Sequence, residues 1–242
     1  MAELVVTTPK PQAQPGKAAI VGSDRKHEGK GTRVDISTQG FDGENSGLAE
    51  VRRALEPDPA LVERVDTDKQ VWQGKIFSVD HLWVELANGS HAWREVVHHH
   101  GGAGVVAIRD GRVCLVRQYR VVLGRVTLEI PAGKLEEGER GEKCAERELA
   151  EETGLHAEKL VHLATVLGSP GFTDEHTEVF LAQGLSQGVS RPDEGEVLRV
   201  VWLPLDEVIR AISAGLIQDG KTVTGVLAAR ALLRDEPTGN LR

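Results

Sequence analysis

Residues 133–155 read GKLEEGERGEKCAERELAEETGL. Strong helix formers followed by a glycine predict a helix over 141–154. On that helix Glu148, Glu151 and Glu152 stand three and four residues apart, so their side chains fall within an arc of about 100° on one face. Carboxylates at this spacing repel one another. A hard divalent cation such as Mg²⁺ or Mn²⁺ would turn that repulsion into attraction.

The residues around these glutamates decide between a metal site and a solvated helix face. They match the Nudix box at every defining position: Gly133, Glu139, Arg147-Glu148-Leu149, Glu151-Glu152 and Gly154-Leu155. With each residue type at its background frequency, chance agreement in one chain is on the order of one in a million. The chain therefore resembles the Nudix hydrolases, specifically over this segment and with a compatible strand order over about 105–235.

The remainder of that region predicts alternating strands and helices. The best hairpin signal is Val105–Ile108 and Val113–Val116 around the turn Asp110-Gly111. Further strands are predicted at 127–130, 160–166, 178–181 and 199–203, and closing helices at 205–214 and 223–233. Mixed strands with few helices indicate an α/β (α+β) fold. The resemblance implies a Nudix-type α/β/α sandwich with a mixed sheet.

Composition divides the chain into three parts. Residues 1–60 contain scattered prolines and little apolar periodicity, which predicts a flexible or weakly structured extension with one short helix near Leu48–Leu55. Residues 61–100 contain β-prone runs (Val71–Val79, His81–Leu86 and Ala92–His98) and the turn Asn88-Gly89, so a small N-terminal antiparallel sheet of about three strands is predicted. Residues 101–236 form the expected Nudix hydrolase domain.

Charge and hydropathy exclude several classes of protein. The formal net charge is -8, which disfavours general binding to nucleic acid. No run approaches the roughly 18 apolar residues of a membrane span, and an apolar leader is lacking, so a cytoplasmic location without membrane attachment is expected. Cys114 and Cys144 are too few for a disulfide framework and are predicted to be small buried hydrophobic residues.

The resemblance implies a magnesium site, for which Mn²⁺ is a possible substitute. Glu148 and Glu152 are implied as metal ligands, Glu151 as a ligand directly or through water, and the carbonyl of Ala132 as a further ligand. Hard oxygen donors of this kind suit both ions.

Resemblance also implies the catalytic residues. An acidic loop before the last predicted strand contains Glu194, expected to be the general base, and Glu196, expected to be an additional metal ligand. Families differ in which carboxylate is the base, so Glu151 is the alternative. Arg147 is suitably placed to hold Glu139 or Glu151 through a charge-assisted hydrogen bond.

The motif downstream of the box bears on the substrate. Residues 169–175 read SPGFTDE, with Pro170 fifteen residues after Leu155. A proline in this context looks like the mark of the ADP-ribose pyrophosphatase subfamily. Without the box, the same residues would be a plain Pro-Gly turn between strands.

Four other side chains are candidates for substrate binding through the same resemblance. Arg94 and Arg120 are expected to contact the diphosphate or the terminal ribose, a role that suits the planar guanidinium group. The alternative is that both are arginines at strand edges. Trp72 and Phe77 lie where such enzymes place an aromatic residue against adenine, often across a homodimer with exchanged N-terminal sheets. The alternative role is in the core or an interface.

The predicted function is Mg²⁺-dependent hydrolysis of the diphosphate of ADP-ribose to AMP and ribose 5-phosphate by a homodimer. One alternative is a pyrophosphatase for other nucleoside diphosphate sugars. The other is a sensor that binds ADP-ribose without cleaving it, although a sensor has no need of the glutamates that this chain retains. No nucleic acid or membrane partner is expected.

Two further patterns are set aside. Gly102–Ala107 fits a GxGxxA dinucleotide fingerprint, but it introduces a β-prone run where that motif requires a helix. His98–His100 suggests a transition-metal site, yet neighbouring residues on a strand point to opposite faces. A polar strand end is therefore the preferred interpretation of the three histidines.

Overall fold

The computed structural model describes residues 46–235. The predictions for residues 1–45, and for the last residue of the predicted hydrolase domain, lie outside this range. A short helix, α1 (Ala49–Ala54), stands where one was predicted. It precedes a three-stranded antiparallel sheet in the order β1 (Arg64–Gln73), β2 (Phe77–Glu85) and β3 (His91–His99).

A second sheet contains seven strands. Its strands are β4 (Gly102–Arg109), β5 (Arg112–Arg120), β6 (Arg125–Glu129), β7 (Ala132–Lys134), β8 (Leu155–Leu167), β9 (His176–Gln187) and β10 (Leu198–Pro204). The order is β10-β5-β4-β9-β8, with β6 on β5 and β7 on β4. The sheet is mixed, because β4 and β9 are parallel and the other pairs are antiparallel.

The β4–β5 hairpin turns at Asp110 and Gly111, whose φ angles are 53° and 69°. Positive φ at both central residues is the type I′ geometry that the Asp-Gly pair predicts. Beyond the turn the two strands separate: only Ile108–Val113 and Arg109–Arg112 pair. The part of β4 that does not pair with β5 pairs with β7, and the corresponding part of β5 pairs with β6. The box segment thereby enters the structure beside β4.

Helices cover both faces of this sheet. They are α2 (Gly141–Thr153), α3 (Leu205–Ser213) and α4 (Gly220–Asp235). Alternate residues of β4 face opposite sides: Val105 packs in the cluster around Leu149 of α2, whereas Val106 packs in the cluster around Val226 of α4. This confirms the α/β/α sandwich. None of the helices described here is long and apolar enough to cross a membrane.

Both cysteines are buried and unbridged, as predicted. Burial raises the pKa of the Cys114 and Cys144 thiols to about 12 in each case. They therefore behave as small apolar residues of the α2 side of the core.

Two details of the strand predictions were wrong. The predicted run Val71–Val79 is divided, because β1 ends at Gln73 and β2 begins at Phe77. Gly74 lies in the turn between them, where a Cβ would overlap the ring of Trp72. The three-residue strand β7 was not predicted, since so short a segment is a strand only through its pairing with β4.

Candidate active site

The glutamate-bearing helix α2 ends at Gly154, which has a φ of 71° and donates its N–H to Ala150 O at 2.9 Å. Only glycine adopts this left-handed conformation without strain, so the position of the glycine sets the end of the helix. Glu148 and Glu152 lie on the buried side of the helix with 9% and 3% exposure. Glu151 is partly exposed.

Glu148 packs directly against the main chain of Gly133 in β7. A Cβ on Gly133 would overlap the Glu148 carboxylate, and even the more distant oxygen, Oε2, would lie only 2.5 Å from it. Gly133 is opposite Ala103 in the β4–β7 pairing, so the main chain has no room to move away. A residue with a Cβ at this position would therefore displace the Glu148 carboxylate.

Glu152 reaches the same loop one residue earlier. Its Oε2 accepts a hydrogen bond from the N–H of Ala132 at 2.9 Å. Burial, together with the negative charges of Glu148 and Glu196, raises the pKa of Glu152 to about 8 in spite of that bond. Burial also raises the pKa of Glu148. Burial thus disfavours the ionised form of both carboxylates, and a bound cation would favour it.

Arg147 organises the other carboxylates of the box. Its Nε and Nη2 donate to the two oxygens of Glu139 at 3.0 and 2.9 Å, and its Nη1 donates to Glu148 at 2.7 Å and to Glu151 at 3.1 Å. Both predicted partners of the arginine, Glu139 and Glu151, are therefore bound at once. The hydrogen bonds from Arg147 lower the pKa of Glu139 to about 2.

The donor set fits a hard divalent cation. Glu148 and Glu152 converge on the Ala132-Gly133 main chain, and carboxylate oxygens are the ligand type that Mg²⁺ and Mn²⁺ prefer. Glu151 is directed to Arg147 instead. Within residues 46–235, no three His, Cys, Asp or Glu side chains are already arranged around one ion position.

The segment after β9 is attached to the end of α2. Ser190 Oγ donates to the carbonyls of Glu151 and Glu152 at 3.1 and 3.2 Å, and Arg191 N–H donates to Glu151 O at 2.8 Å. These bonds satisfy carbonyl groups that a helix end leaves without partners. They also fix where the acidic loop 192–196 begins, beside the carboxylate face.

Within the acidic loop, Glu194 and Glu196 are both exposed. Gly195 between them has a φ of 95°, and Glu196 N–H donates to Asp193 O at 3.0 Å, which forms a tight turn. Glu196 is close enough to contribute to the raised pKa values of Glu148 and Glu152.

Arg120 lies at the end of β5 and is bound to a buried carboxylate. It donates from Nε and Nη2 to Glu129 of β6 at 2.8 and 2.7 Å. Lys221 Nζ donates to the same carboxylate at 2.5 Å, and Thr127 Oγ1 at 2.7 Å. Burial alone would raise the pKa of Glu129, but these hydrogen bonds and the charge of Lys221 outweigh it and lower the pKa to about 2.

This network forms one wall of a pocket of about 460 Å³ between the β5–β6 hairpin and the start of α4. Arg120 and Lys221 both interact with the charge of Glu152. The pocket therefore lies within electrostatic range of the carboxylates on α2. The lining residues are Arg120, Val122, Leu123, Arg125, Val126, Thr127, Leu128, Glu129, Leu216, Ile217, Gln218, Asp219 and Lys221.

Sequence reasoning missed Lys221 and Glu129. They are 92 residues apart in the chain, and no local pattern connects them. The one available signal was Glu129 itself, immediately before the Ile130-Pro131-Ala132 segment. A glutamate that is buried there requires a cationic partner.

The remaining predicted substrate residues lie on or beside the three-stranded sheet. Arg94 is bound to Glu63 through bonds of 3.0 and 2.6 Å on the surface. The Trp72 ring is 48% exposed and lies 4.8 Å, between centroids, from that of Phe77. Pro170 is exposed in a turn where Phe172 and Thr173 donate their N–H groups to Ser169 O at 3.0 and 3.1 Å.

The chain is similar to one protein family and to named pyrophosphatases. Residues 98–223 match the family model described as "NUDIX domain". The chain is 39% identical over 170 residues to an ADP-ribose pyrophosphatase of Bacillus subtilis (strain 168), covering 69% of this chain and 92% of that protein. It is 38% identical over 164 residues to an ADP-ribose pyrophosphatase of Mycobacterium tuberculosis, covering 66% and 79% respectively.

Similarity extends to another substrate class and to a solved structure. A GDP-mannose pyrophosphatase of Yersinia pestis is 34% identical over 143 residues, covering 54% of this chain and 71% of that protein. The crystal structure of an ADP compounds hydrolase superposes with a TM-score of 0.65 at 24% identity, covering 72% of this chain and 96% of the other. The last similarity bears on the fold alone.

Proposed function

Because this chain belongs to the Nudix family of hydrolases, we propose that it cleaves the diphosphate of ADP-ribose to AMP and ribose 5-phosphate. The observation that carries the proposal is the buried pair Glu148 and Glu152, packed against the Ala132-Gly133 main chain with raised pKa values. The pyrophosphatase relatives, which align over most of their length, supply the substrate class.

Mg²⁺ is the proposed cofactor, and Mn²⁺ would suit the same oxygens. The residues that would hold it are Glu148, Glu152, the Ala132 carbonyl, Glu196, and Glu151 directly or through water. A bound divalent cation would neutralise the diphosphate and lower the pKa of the attacking water. Support comes from the buried, mutually repelling carboxylates, which gain from a cation.

Glu194 is the proposed general base. It would accept a proton from the water whose oxygen forms a bond to one phosphorus, while the bridging oxygen leaves with the other phosphate. The exposed turn at Gly195 and the attachment of this segment to α2 support a base that reaches the site from outside. Glu151 remains the alternative, and Arg147 would orient it through their 3.1 Å bond.

The pocket beside Arg120 is the proposed position of one end of the substrate. Its volume of about 460 Å³, its mixture of cationic and apolar lining, and its electrostatic link to Glu152 support this assignment. Pro170, Arg94 and Trp72 are proposed contacts for the remainder of the nucleotide sugar. Trp72 would stack on adenine, for which its exposed ring is suited.

A homodimer formed through the three-stranded sheet, residues 61–100, is part of the proposal. Strand β1 is exposed along its whole length, and the sheet carries large exposed apolar side chains, of which Trp93 is 61% exposed. A second copy of the chain would cover them. Light scattering should give the mass of a dimer, and a monomer at micromolar concentration would contradict the proposed homodimer.

A cytoplasmic location remains a prediction from the sequence.

A substrate panel tests the proposed function. ADP-ribose, GDP-mannose, UDP-glucose, NADH and diadenosine polyphosphates are each incubated with Mg²⁺ and, as a control, with EDTA. The expected result is cleavage of ADP-ribose to AMP with the highest kcat/KM, abolished by EDTA. Preference for another sugar nucleotide would favour the second candidate, which the GDP-mannose pyrophosphatase relatives support. Tight binding of ADP-ribose without cleavage would indicate a sensor.

A further inference from the structure

The loop containing Pro170 is attached to the end of β3. Val97 N–H donates to Phe172 O at 2.8 Å, and Asp174 N–H donates to Val97 O at 3.3 Å. Val97 and Thr173 form an isolated parallel bridge. The loop is therefore positioned by the three-stranded sheet as well as by the strands β8 and β9 that it connects.

Side chains reinforce this contact at the next residue of β3. His98 Nδ1 lies 2.6 Å from Asp174 Oδ2, and the other oxygen of Asp174 accepts the N–H of His99 at 2.9 Å. His98 Nε2 lies 3.4 Å from Asp80 Oδ2 on β2. One imidazole thus connects the loop to the interior strand of the sheet.

The surroundings of His98 are strongly acidic. The charged groups facing it are Asp174 from the loop, Asp80 from β2 and Asp68 from β1. Burial would lower the pKa of His98, but the hydrogen bond to Asp174 and the charges of the three aspartates outweigh it and raise the pKa. Asp80 Oδ1 is shielded from solvent and accepts no hydrogen bond from residues 46–235, so a cation beside it is favourable.

We propose that His98 is a positioning residue, which holds the Pro170 loop in its substrate-binding conformation by bonding Asp174. This inference rests on the proposed function, in which that loop contacts the nucleotide sugar. His98 touches no reacting atom, so it acts on binding and leaves the chemical step alone. The protonated ring forms a charge-assisted hydrogen bond to Asp174 and an ion pair with Asp80, whereas the neutral ring loses the charge but keeps one donor.

The sign of the pH effect follows from the raised pKa. The contribution of His98 is complete below the ordinary histidine pKa of 6.5 and is lost as the pH rises through the raised value. The loop is therefore held most firmly in mildly acidic solution. Removing the imidazole should matter most at low pH and least at high pH.

His98→Gln tests the proposal in steady-state hydrolysis of ADP-ribose between pH 6 and 9. At pH 6 we expect KM to rise about tenfold, the loss of one charge-assisted hydrogen bond, with kcat within about twofold of wild type. The ratio of the variant KM to the wild-type KM should fall towards one by pH 9. Asp174→Asn keeps the shape of the loop residue. The ratio of its KM to the wild-type KM should fall with rising pH in the same way.

His81→Gln is the matched control. His81 also faces a carboxylate on the same sheet, Glu95 at 3.7 Å, but it does not contact the loop. Its kinetic constants should equal those of wild type at every pH. A ratio for His98→Gln that does not change with pH, or a fall in kcat with unchanged KM, would overturn the proposal.

Amide hydrogen exchange gives a second readout that needs no substrate. The N–H groups of Val97, His99 and Asp174 should exchange about tenfold faster in His98→Gln at pH 6, whereas those within α2 should not change. Equal exchange in both proteins would overturn the proposal even if no substrate is cleaved. Faster exchange in a protein that does not hydrolyse ADP-ribose would refute the proposed function and leave the attachment of the loop established.

Discussion

Gly133→Ala should disable the site by displacing a single carboxylate. The added Cβ would overlap Glu148, and its distance to the farther oxygen, 2.5 Å, is about 1 Å below an ordinary contact. The main chain of β7 is held by its pairing to β4, so the side chain of Glu148 must move by at least that amount. Misplacement of about 1 Å can cost on the order of 100-fold in rate.

We therefore expect kcat on ADP-ribose to fall about 100-fold in Gly133→Ala, with a higher Mg²⁺ concentration needed for half-maximal activity. Overpacking should cost about 1–3 kcal/mol, which lowers Tm by several degrees without preventing folding. Gly220→Ala is the control, because a Cβ at that exposed position meets no atom within 4 Å. Wild-type kcat and Mg²⁺ dependence in Gly133→Ala would refute the close-approach argument.

Two other predictions concern Glu129 and the general base. The pKa of Glu129 is about 2 against an ordinary 4.5, so its ionised form contributes about 3 kcal/mol above pH 4.5 that is lost as the pH falls towards 2. Urea unfolding between pH 2 and 6 should show a shallower pH dependence in Glu129→Gln, and equal slopes would contradict this. Glu194→Gln should lower kcat by about 100-fold with KM unchanged; a wild-type kcat in that variant would contradict the assignment and favour Glu151 as the base.

The box helix and its partners were predictable because their information is local. Helix propensity and Gly154 set the end of α2, and the spacing of Glu148 and Glu152 placed both carboxylates on one side. The Asp110-Gly111 turn likewise requires only the two residues that adopt positive φ. The strand β7 was not predicted, because its conformation depends on pairing with β4 and not on its own residues.

Contacts between distant parts of the chain were beyond sequence reasoning. Arg120 was predicted to bind substrate, and the structure engages it with Glu129, a partner that no spacing rule connects to it. His98 was interpreted as part of a polar strand end, but it bonds Asp174, which is 76 residues away. Such pairs form only when the sheet brings the segments together.

AMP formation by wild type and by Glu152→Gln measures whether Glu152 belongs to the machinery that hydrolyses ADP-ribose. Glutamine keeps an acceptor for the Ala132 N–H and removes a charge that burial disfavours, so Tm should hardly change. We predict stoichiometric AMP and ribose 5-phosphate from wild type with Mg²⁺, and a kcat at least about 100-fold lower in the variant. Equal rates of AMP formation by the two proteins would show that Glu152 has no part in the hydrolysis.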